Sequence, residues 1–236
     1  MLSSLTIAIP AYNEELTLPS IIKEALDIGK ISAKKFELLL VDDGSTDTTG
    51  RIMDKFSKLH TNITVLHHNK NLGFTGAILS CYKHATNSWV FLAPADGQIH
   101  LKDLSLFIEK TKGTDVIIGY RKTRPESLIR KLNSYLFHTL YQALFGMNLK
   151  EISTAILWKK DILRKIKITA NARSAMIQAE ALYKAKALDA TFAEVAIPYY
   201  ARKAGVAHGT DPRMIIQTVK EMLRLWWEMK VKETSS

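Results

Sequence analysis

The chain has 236 residues, 47% hydrophobic and 24% charged, which excludes a disordered, collagen-like or low-complexity polymer and suffices to bury a core without staples. A single cysteine, Cys81, excludes an internal disulfide and a zinc or iron–sulfur thiolate cluster, and points to a reducing compartment. A formal net charge of +10 makes the natural partners anionic: nucleic acid, phosphorylated small molecules or an acidic membrane face.

In chain order, short apolar runs alternate with helical patterns. Leu5 to Pro10 reads as a strand, Leu18 to Leu26 as a helix, Phe36 to Asp42 as a strand, Thr46 to Leu59 as a helix and Ile63 to His67 as a strand. Gly73 to Thr86 then reads as a helix, Trp89 to Ala93 as a strand, Leu101 to Thr111 as a helix and Val116 to Gly119 as a strand. Leu38-Leu39-Leu40-Val41 is apolar at every position, as in a parallel strand covered on both faces. The pattern predicts a doubly wound α/β sheet, in which ligands bind at the carboxyl ends of the strands.

The residues after those strands are polar. Pro10 is expected to stop the first ladder, with Asn13 or Glu14 capping the next helix. Asp42 and Asp43 end the second strand; adjacent like charges there repel unless they face a cation, a base edge or ribose hydroxyls. Ser45, Thr46 and Asp47 suit either turn and N-cap chemistry or a ligand contact. No G-x-G-x-x-G follows the first strand and no G-x-x-x-x-G-K-[ST] occurs, so neither a dinucleotide dehydrogenase nor a P-loop NTPase is supported.

Pro10-Ala11-Tyr12-Asn13-Glu14, Val41-Asp42-Asp43-Gly44-Ser45-Thr46-Asp47, Asn69-Lys70-Asn71-Leu72-Gly73 and Pro94-Ala95-Asp96-Gly97-Gln98 together resemble the family 2 glycosyltransferases. The nearest branch is that of the dolichol-phosphate mannose synthases and polyprenyl-phosphate glycosyltransferases. The resemblance implies the GT-A fold, a mostly parallel central sheet with helices on both faces, and transfer of a sugar from a GDP- or UDP-sugar to a polyprenyl phosphate. It further implies that Pro10, Tyr12 and Glu14 line the nucleotide pocket together with Gly73, that Asp42 recognises the base or ribose, and that Asp43 lies close by. The family's Asp-Ala-Asp, followed two residues on by Gln, falls on Pro94-Ala95-Asp96-Gly97-Gln98, with proline replacing the first aspartate. Asp96 and Gln98 remain as oxygen donors suited to Mg²⁺ or Mn²⁺, a set that favours metal arriving with the donor. The catalytic set implied is Asp96, Arg121 and Arg202.

An anionic phosphate acceptor needs no strong general base; the problem is holding two anions together. Arg121, Lys122 and Arg124, then Arg130 and Lys131, and later Arg202 and Lys203, supply cations. The family's Asp before a Gly-Phe-Arg/Lys stretch is not found in Lys150-Glu151-Ile152-Ser153-Thr154-Ala155-Ile156-Leu157-Trp158. Glu180 is either an acceptor-side residue or part of a helix surface.

Residues 132–149 carry no charge but are interrupted by polar residues, which predicts an amphipathic helix rather than a membrane span. Leu132, Leu136, Leu140, Ala143 and Met147 form one face. Phe137, Tyr141 and Phe145 form a second stripe, expected to meet lipid, a prenyl chain or another subunit unless both faces are buried. Met214 to Lys230 is also helical in period, with Met222, Leu225, Trp226 and Met229 on one side. The organisation expected is a domain over 1–210 and a helical extension over 211–236. The start at Met1 lacks the features of a signal peptide and no long apolar run occurs, so the expected place is the cytoplasm, at the cytoplasmic face of a membrane, docked peripherally or through a membrane partner protein. Two alternatives remain open: a soluble glycan or protein acceptor, and nucleotide-sugar binding without turnover. Nucleic-acid binding ranks last, because no basic base-reading helix or stacking-aromatic module is evident.

Overall fold

The structure, a computed structural model, describes residues 1–95, 97, 99–122, 128–152, 155–170, 176–198 and 212–234. Its first half alternates β1 (Leu2–Ala11), α1 (Leu18–Ser32), β2 (Ala33–Asp42), α2 (Thr49–Leu59), β3 (Ile63–His67), α3 (Gly73–His84) and β4 (Trp89–Leu92). A 3-10 turn (Leu101–Asp103) and α4 (Leu104–Ile108) lead to β5 (Val116–Arg121) and α5 (Leu128–Phe145). There follow β6 (Ile156–Lys159), α6 (Lys160–Lys165), α7 (Ile177–Lys186), β7 (Phe192–Ile197) and α8 (Pro212–Thr234).

The seven strands form one sheet in the order β3-β2-β1-β4-β6-β5-β7. Strands β1 to β4 pair in parallel and β5 pairs in parallel with β7, while β6 runs antiparallel to both of its neighbours. The reversal of β6 is the one departure from a wholly parallel sheet among the described residues. Because two successive antiparallel steps restore direction, β5 ends at the same edge as β1, β2 and β4.

Alternation along each strand divides the core in two. Ile7, Ile9, Leu38, Leu40 and Phe91 face α1, α2 and α4, where they meet Ile22, Leu26, Met53 and Phe107. Ala8, Leu39, Val41, Val90 and Trp158 face the other way, onto Ile78 and Tyr82 of α3, Tyr141 and Phe145 of α5, Leu182 of α7 and Met222 and Leu225 of α8. The apolar run Leu38 to Val41 is fully buried, as its composition requires. The buried Trp158 indole donates to Tyr82 Oη at 3.1 Å, so its one polar atom is satisfied.

On α5 the expectation about faces is reversed. The aromatic stripe turns inward: Tyr141 and Phe145 are buried, Phe137 is partly buried, and the Phe145 and Tyr183 rings lie 4.8 Å apart. The Tyr141 hydroxyl donates to the Ala179 carbonyl at 2.8 Å, which removes the cost of burying it. Leu132, Tyr135 and Leu136 are left exposed instead. On α8, Met222 and Leu225 are buried, Trp226 is partly buried, and Ile216, Val219, Leu223 and Trp227 are exposed at a spacing that places them along one side of the helix. No described helix is long and apolar enough to cross a membrane.

Candidate active site

The carboxyl ends of β1, β2, β4 and β5 lie at one edge of the sheet, and Pro10, Tyr12, Glu14, Asp42, Asp43 and Arg121 sit at those strand ends or on the segments leaving them. Pro10 does not end the β1 ladder; pairing continues through Pro10–Val41 to Ala11–Asp42. Ala8 accepts a backbone bond from Ala93 on the β4 side, whereas Ala11 accepts one from Asp43 on the β2 side. By alternation, the N–H that Pro10 lacks would point toward β4, which has already ended at Leu92.

Two loops then clasp each other. Asn13, at φ 54°, donates its N–H to Ser45 Oγ at 3.0 Å, and its side-chain oxygen accepts from Thr46 N at 2.9 Å. Glu14 N donates to Thr49 Oγ1 at 2.8 Å, and Glu15 Oε2 accepts from Thr48 N at 3.0 Å. These bonds explain why α2 begins at Thr49 rather than Thr46, and why neither Asn13 nor Glu14 is the N-cap of α1: that position is Thr17. Tyr12 stands exposed at the head of the clasp.

Asp42 and Asp43 answer their mutual repulsion separately, because consecutive residues point to opposite faces. Asp42 Oδ2 lies 3.0 Å from His67 Nδ1, and His67 Nε2 lies 3.0 Å from Asp54 Oδ1 of α2. The other oxygen, Asp42 Oδ1, accepts from Ser45 N at 3.0 Å. Asp43 Oδ1 lies 2.7 Å from His68 Nδ1 and accepts from Leu72 N at 2.9 Å, while His68 Nε2 lies 2.8 Å from Ser80 Oγ of α3. Burial pushes the Asp42 carboxyl up, but the bonds from Ser45 and His67 outweigh it and hold the group below its ordinary value. The bond to Asp42, opposed by burial and helped by Asp54, raises His67 above its ordinary value.

Asp43 thereby ties down the 69–73 segment that opens α3 at Gly73, where φ is +78°. Gly44 adds the necessary room: at φ +71°, a Cβ there would stand 2.6 Å from the Lys70 carbonyl carbon.

The segment after β4 is anchored from α1. Thr17 Oγ1 lies 2.8 Å from the Ala95 carbonyl, 2.9 Å from Glu14 Oε2 and 3.3 Å from the Glu14 carbonyl, one donor among three acceptors. Asp96 and Gln98, the two expected metal ligands, lie outside the described residues, as do Arg124, Arg202 and Lys203. Among the described residues no group of three His, Cys, Asp or Glu is placed to hold a metal ion.

At the end of β5, the Arg121 guanidinium is paired with Glu151, and Glu151 Oε2 also accepts from Arg121 N at 2.9 Å. The Glu151 side chain is 1% exposed. A buried carboxylate therefore does stand in the stretch where the sequence suggested a missing one. Lys122 is exposed beside it. Glu180 is neither surface nor free: it is buried, and its Oε1 accepts from Thr169 N at 2.7 Å and from Lys184.

Residues 6–189 match the family model of Glycosyl transferase family 2. The chain belongs to that family. It is 30% identical over 147 residues to an undecaprenyl-phosphate 4-deoxy-4-formamido-L-arabinose transferase of Salmonella choleraesuis (strain SC-B67), across 61% of this chain and 45% of that one. The family 2 chain thus spans less than half the length of that relative. Its fold overlaps glucosyl-3-phosphoglycerate synthase from Mycobacterium tuberculosis, solved with Mn²⁺, UDP-glucose and phosphoglyceric acid, with a TM-score of 0.74 and 16% identity over 95% of this chain and 80% of that one. S. aureus TarS bound to UDP-GlcNAc overlaps with a TM-score of 0.61 and 23% identity, covering 88% and 61% of the two chains. The fold is GT-A, as the motifs implied.

Four residues of this family 2 chain escaped the sequence reading: Thr17, His67, His68 and Glu151. His67 and His68 were legible in principle, because β3 pairs with β2 so that His67 falls opposite Asp42. Thr17 and Glu151 act across 78 and 30 residues of chain, and local pattern carries no such signal.

Proposed function

We propose that the chain is a glycosyltransferase that moves a sugar from a GDP- or UDP-sugar to a polyprenyl phosphate, with inversion and with Mg²⁺ or Mn²⁺. The observation that carries this reading is the similarity to an undecaprenyl-phosphate sugar transferase, 30% identical over 147 residues and 61% of this chain. Pro10, Tyr12, Glu14, Asp42, Asp43 and Gly73 form that site, with Asp42 meeting the base or ribose. Asp96 and Gln98 would offer hard oxygen donors to Mg²⁺ or Mn²⁺, which when bound would supply charge neutralisation at the diphosphate. Arg121 and Arg202 hold the acceptor phosphate. Its oxyanion attacks the anomeric carbon, the bond from that carbon to the donor diphosphate breaks, and the nucleoside diphosphate leaves with the bonding electrons. Pairing with Glu151 keeps Arg121 at the strand end, so little orientation is lost when an anion binds.

The exposed apolar residues of α5 and α8, two helices in contact, support a peripheral membrane position from which a lipid acceptor is reached. Arg130 and Lys131 lie at the start of the exposed stretch, where each cation near an anionic leaflet adds roughly 1 kcal/mol. Replacing Leu136 by Glu, or Trp227 by Glu, is expected to weaken flotation with phosphatidylglycerol vesicles by about tenfold each, since burying such a side chain contributes about 1.5–3 kcal/mol. Unchanged flotation for both variants sends the acceptor reading toward a soluble molecule or a membrane protein partner.

The reading is tested by incubating the chain with labelled GDP- and UDP-sugars and a short polyprenyl phosphate, with and without Mg²⁺ or Mn²⁺, and extracting lipid. Labelled lipid supports it. Sugar-nucleotide binding with no lipid product favours a soluble acceptor, or binding without turnover, for which Pro94 in place of a carboxylate is the motive; in the last case Pro94→Asp would create activity.

A further inference from the structure

His67 stands on the donor edge but belongs to none of the motifs that mark it. The charged groups facing it are Asp42 from β2 and Asp54 from α2, each 3.0 Å from one ring nitrogen. Two carboxylates on opposite nitrogens are both satisfied only by the imidazolium, which donates from Nδ1 and Nε2 together. The neutral ring has a single N–H, so one carboxylate then faces a lone pair.

Asp42 is held from two sides, by Ser45 and by His67. Its Oδ1 accepts from Ser45 N and the Ser45 side chain also bonds the carboxylate, while Oδ2 faces His67 Nδ1 and is walled in by α2, since a Cβ at Gly50 would stand 2.6 Å from it. His67 Nδ1 therefore sets how Oδ2 is held, and the charge-assisted bond of the imidazolium holds it more firmly than the neutral ring does.

We propose that His67 is a positioning residue of the donor site: held as the imidazolium between Asp42 and Asp54, it fixes Asp42 for the sugar nucleotide, so donor binding weakens as the pH rises through the His67 titration. This rests on the reading of Asp42 as the residue that meets the base or ribose. The sign follows from the pairing. Both carboxylates favour the charged ring, so His67 loses its proton above the ordinary value of about 6.5 for histidine. Binding strength is then full at mildly acid pH and lost on the alkaline side. By reciprocity, bound sugar nucleotide must raise the His67 midpoint.

The test is calorimetric titration with UDP-glucose and GDP-mannose, whose diphosphate diesters do not titrate here, from about pH 5.5 to 8.5. Unfolding in urea is followed in parallel. The wild-type affinity for the accepted donor is expected to fall by about tenfold across this range. His67→Gln, neutral throughout, is expected to bind weakly with a flat profile, and Asp54→Asn to move the inflection to lower pH. In proton NMR the His67 midpoint is expected to rise when donor is added. A flat wild-type profile, a pH-dependent profile retained in His67→Gln, or a midpoint unmoved by donor overturns the proposal. Asp42→Asn separates the two levels: unchanged affinity in that variant, or no binding of either donor at any pH, overturns the donor-site reading itself. Lost affinity in Asp42→Asn beside a wild-type profile in His67→Gln overturns the role of His67 alone.

Discussion

Asp96→Ala is expected to lower sugar transfer by about 10²–10³-fold, the loss seen when one preorganised electrostatic contact to developing charge is removed. The expectation is large because the segment has no substitute. Pro94 occupies the place of the other carboxylate, so in the proposed site Asp96 would carry the anionic share of metal binding and Gln98 would contribute only a neutral amide oxygen. Gln98→Ala should therefore cost less, and its loss should recover as Mg²⁺ or Mn²⁺ is raised. Labelled lipid formed over time gives the rate, and thermal melting monitored by circular dichroism checks that the fold persists. Undiminished transfer by Asp96→Ala would place the metal, or the charge that replaces it, elsewhere.

The second large effect is on stability. Glu151→Ala is expected to destabilise the fold by about 3–5 kcal/mol, because it leaves the Arg121 guanidinium, only 12% exposed, without its counter-charge and removes the acceptor for Arg121 N. Arg121→Met combined with Glu151→Ala should recover much of that loss, since the guanidinium and its carboxylate are then removed together. Equilibrium unfolding in urea measures both. Sugar transfer should stay low in the double variant, because the guanidinium proposed to hold the acceptor phosphate is gone. Full stability of Glu151→Ala alone would mean that water reaches Arg121 and that its pairing is incidental.

What could be read from the sequence is what depends on local period. The order β1-α1-β2-α2-β3-α3-β4 follows from runs such as Leu38 to Val41 and from the polar residues after each strand, and both are properties of a few neighbouring residues. The direction of β6 was not legible, because Ile156 to Trp158 is as apolar as a parallel strand and only the chain path reverses it. The buried face of α5 was not legible either: two stripes of similar hydrophobicity compete, and the choice goes to the one whose tyrosine hydroxyl finds the Ala179 carbonyl. At the site, Asp42 and Asp43 stood out as an electrostatic problem, but the answer lay 25 residues away on a strand whose register a single sequence does not reveal. Ser45, Thr46 and Asp47 suited turn and N-cap chemistry as well as a ligand contact, and all three bond the loop after β1.

The division of labour between Asp42 and Asp43 also constrains how this site can change over generations. Side chains at the end of β2 alternate between the α2 layer and the α3 layer, so inserting or deleting one residue before Asp42 would hand each aspartate to the other layer, away from its own histidine. Substitutions can retune either pairing independently. A change of length by one residue breaks both at once, and a change of two restores facing only by displacing the turn at Gly44 from the Lys70–Asn71 backbone it fits against. The donor edge of this chain is thus open to drift in chemistry and closed to drift in length.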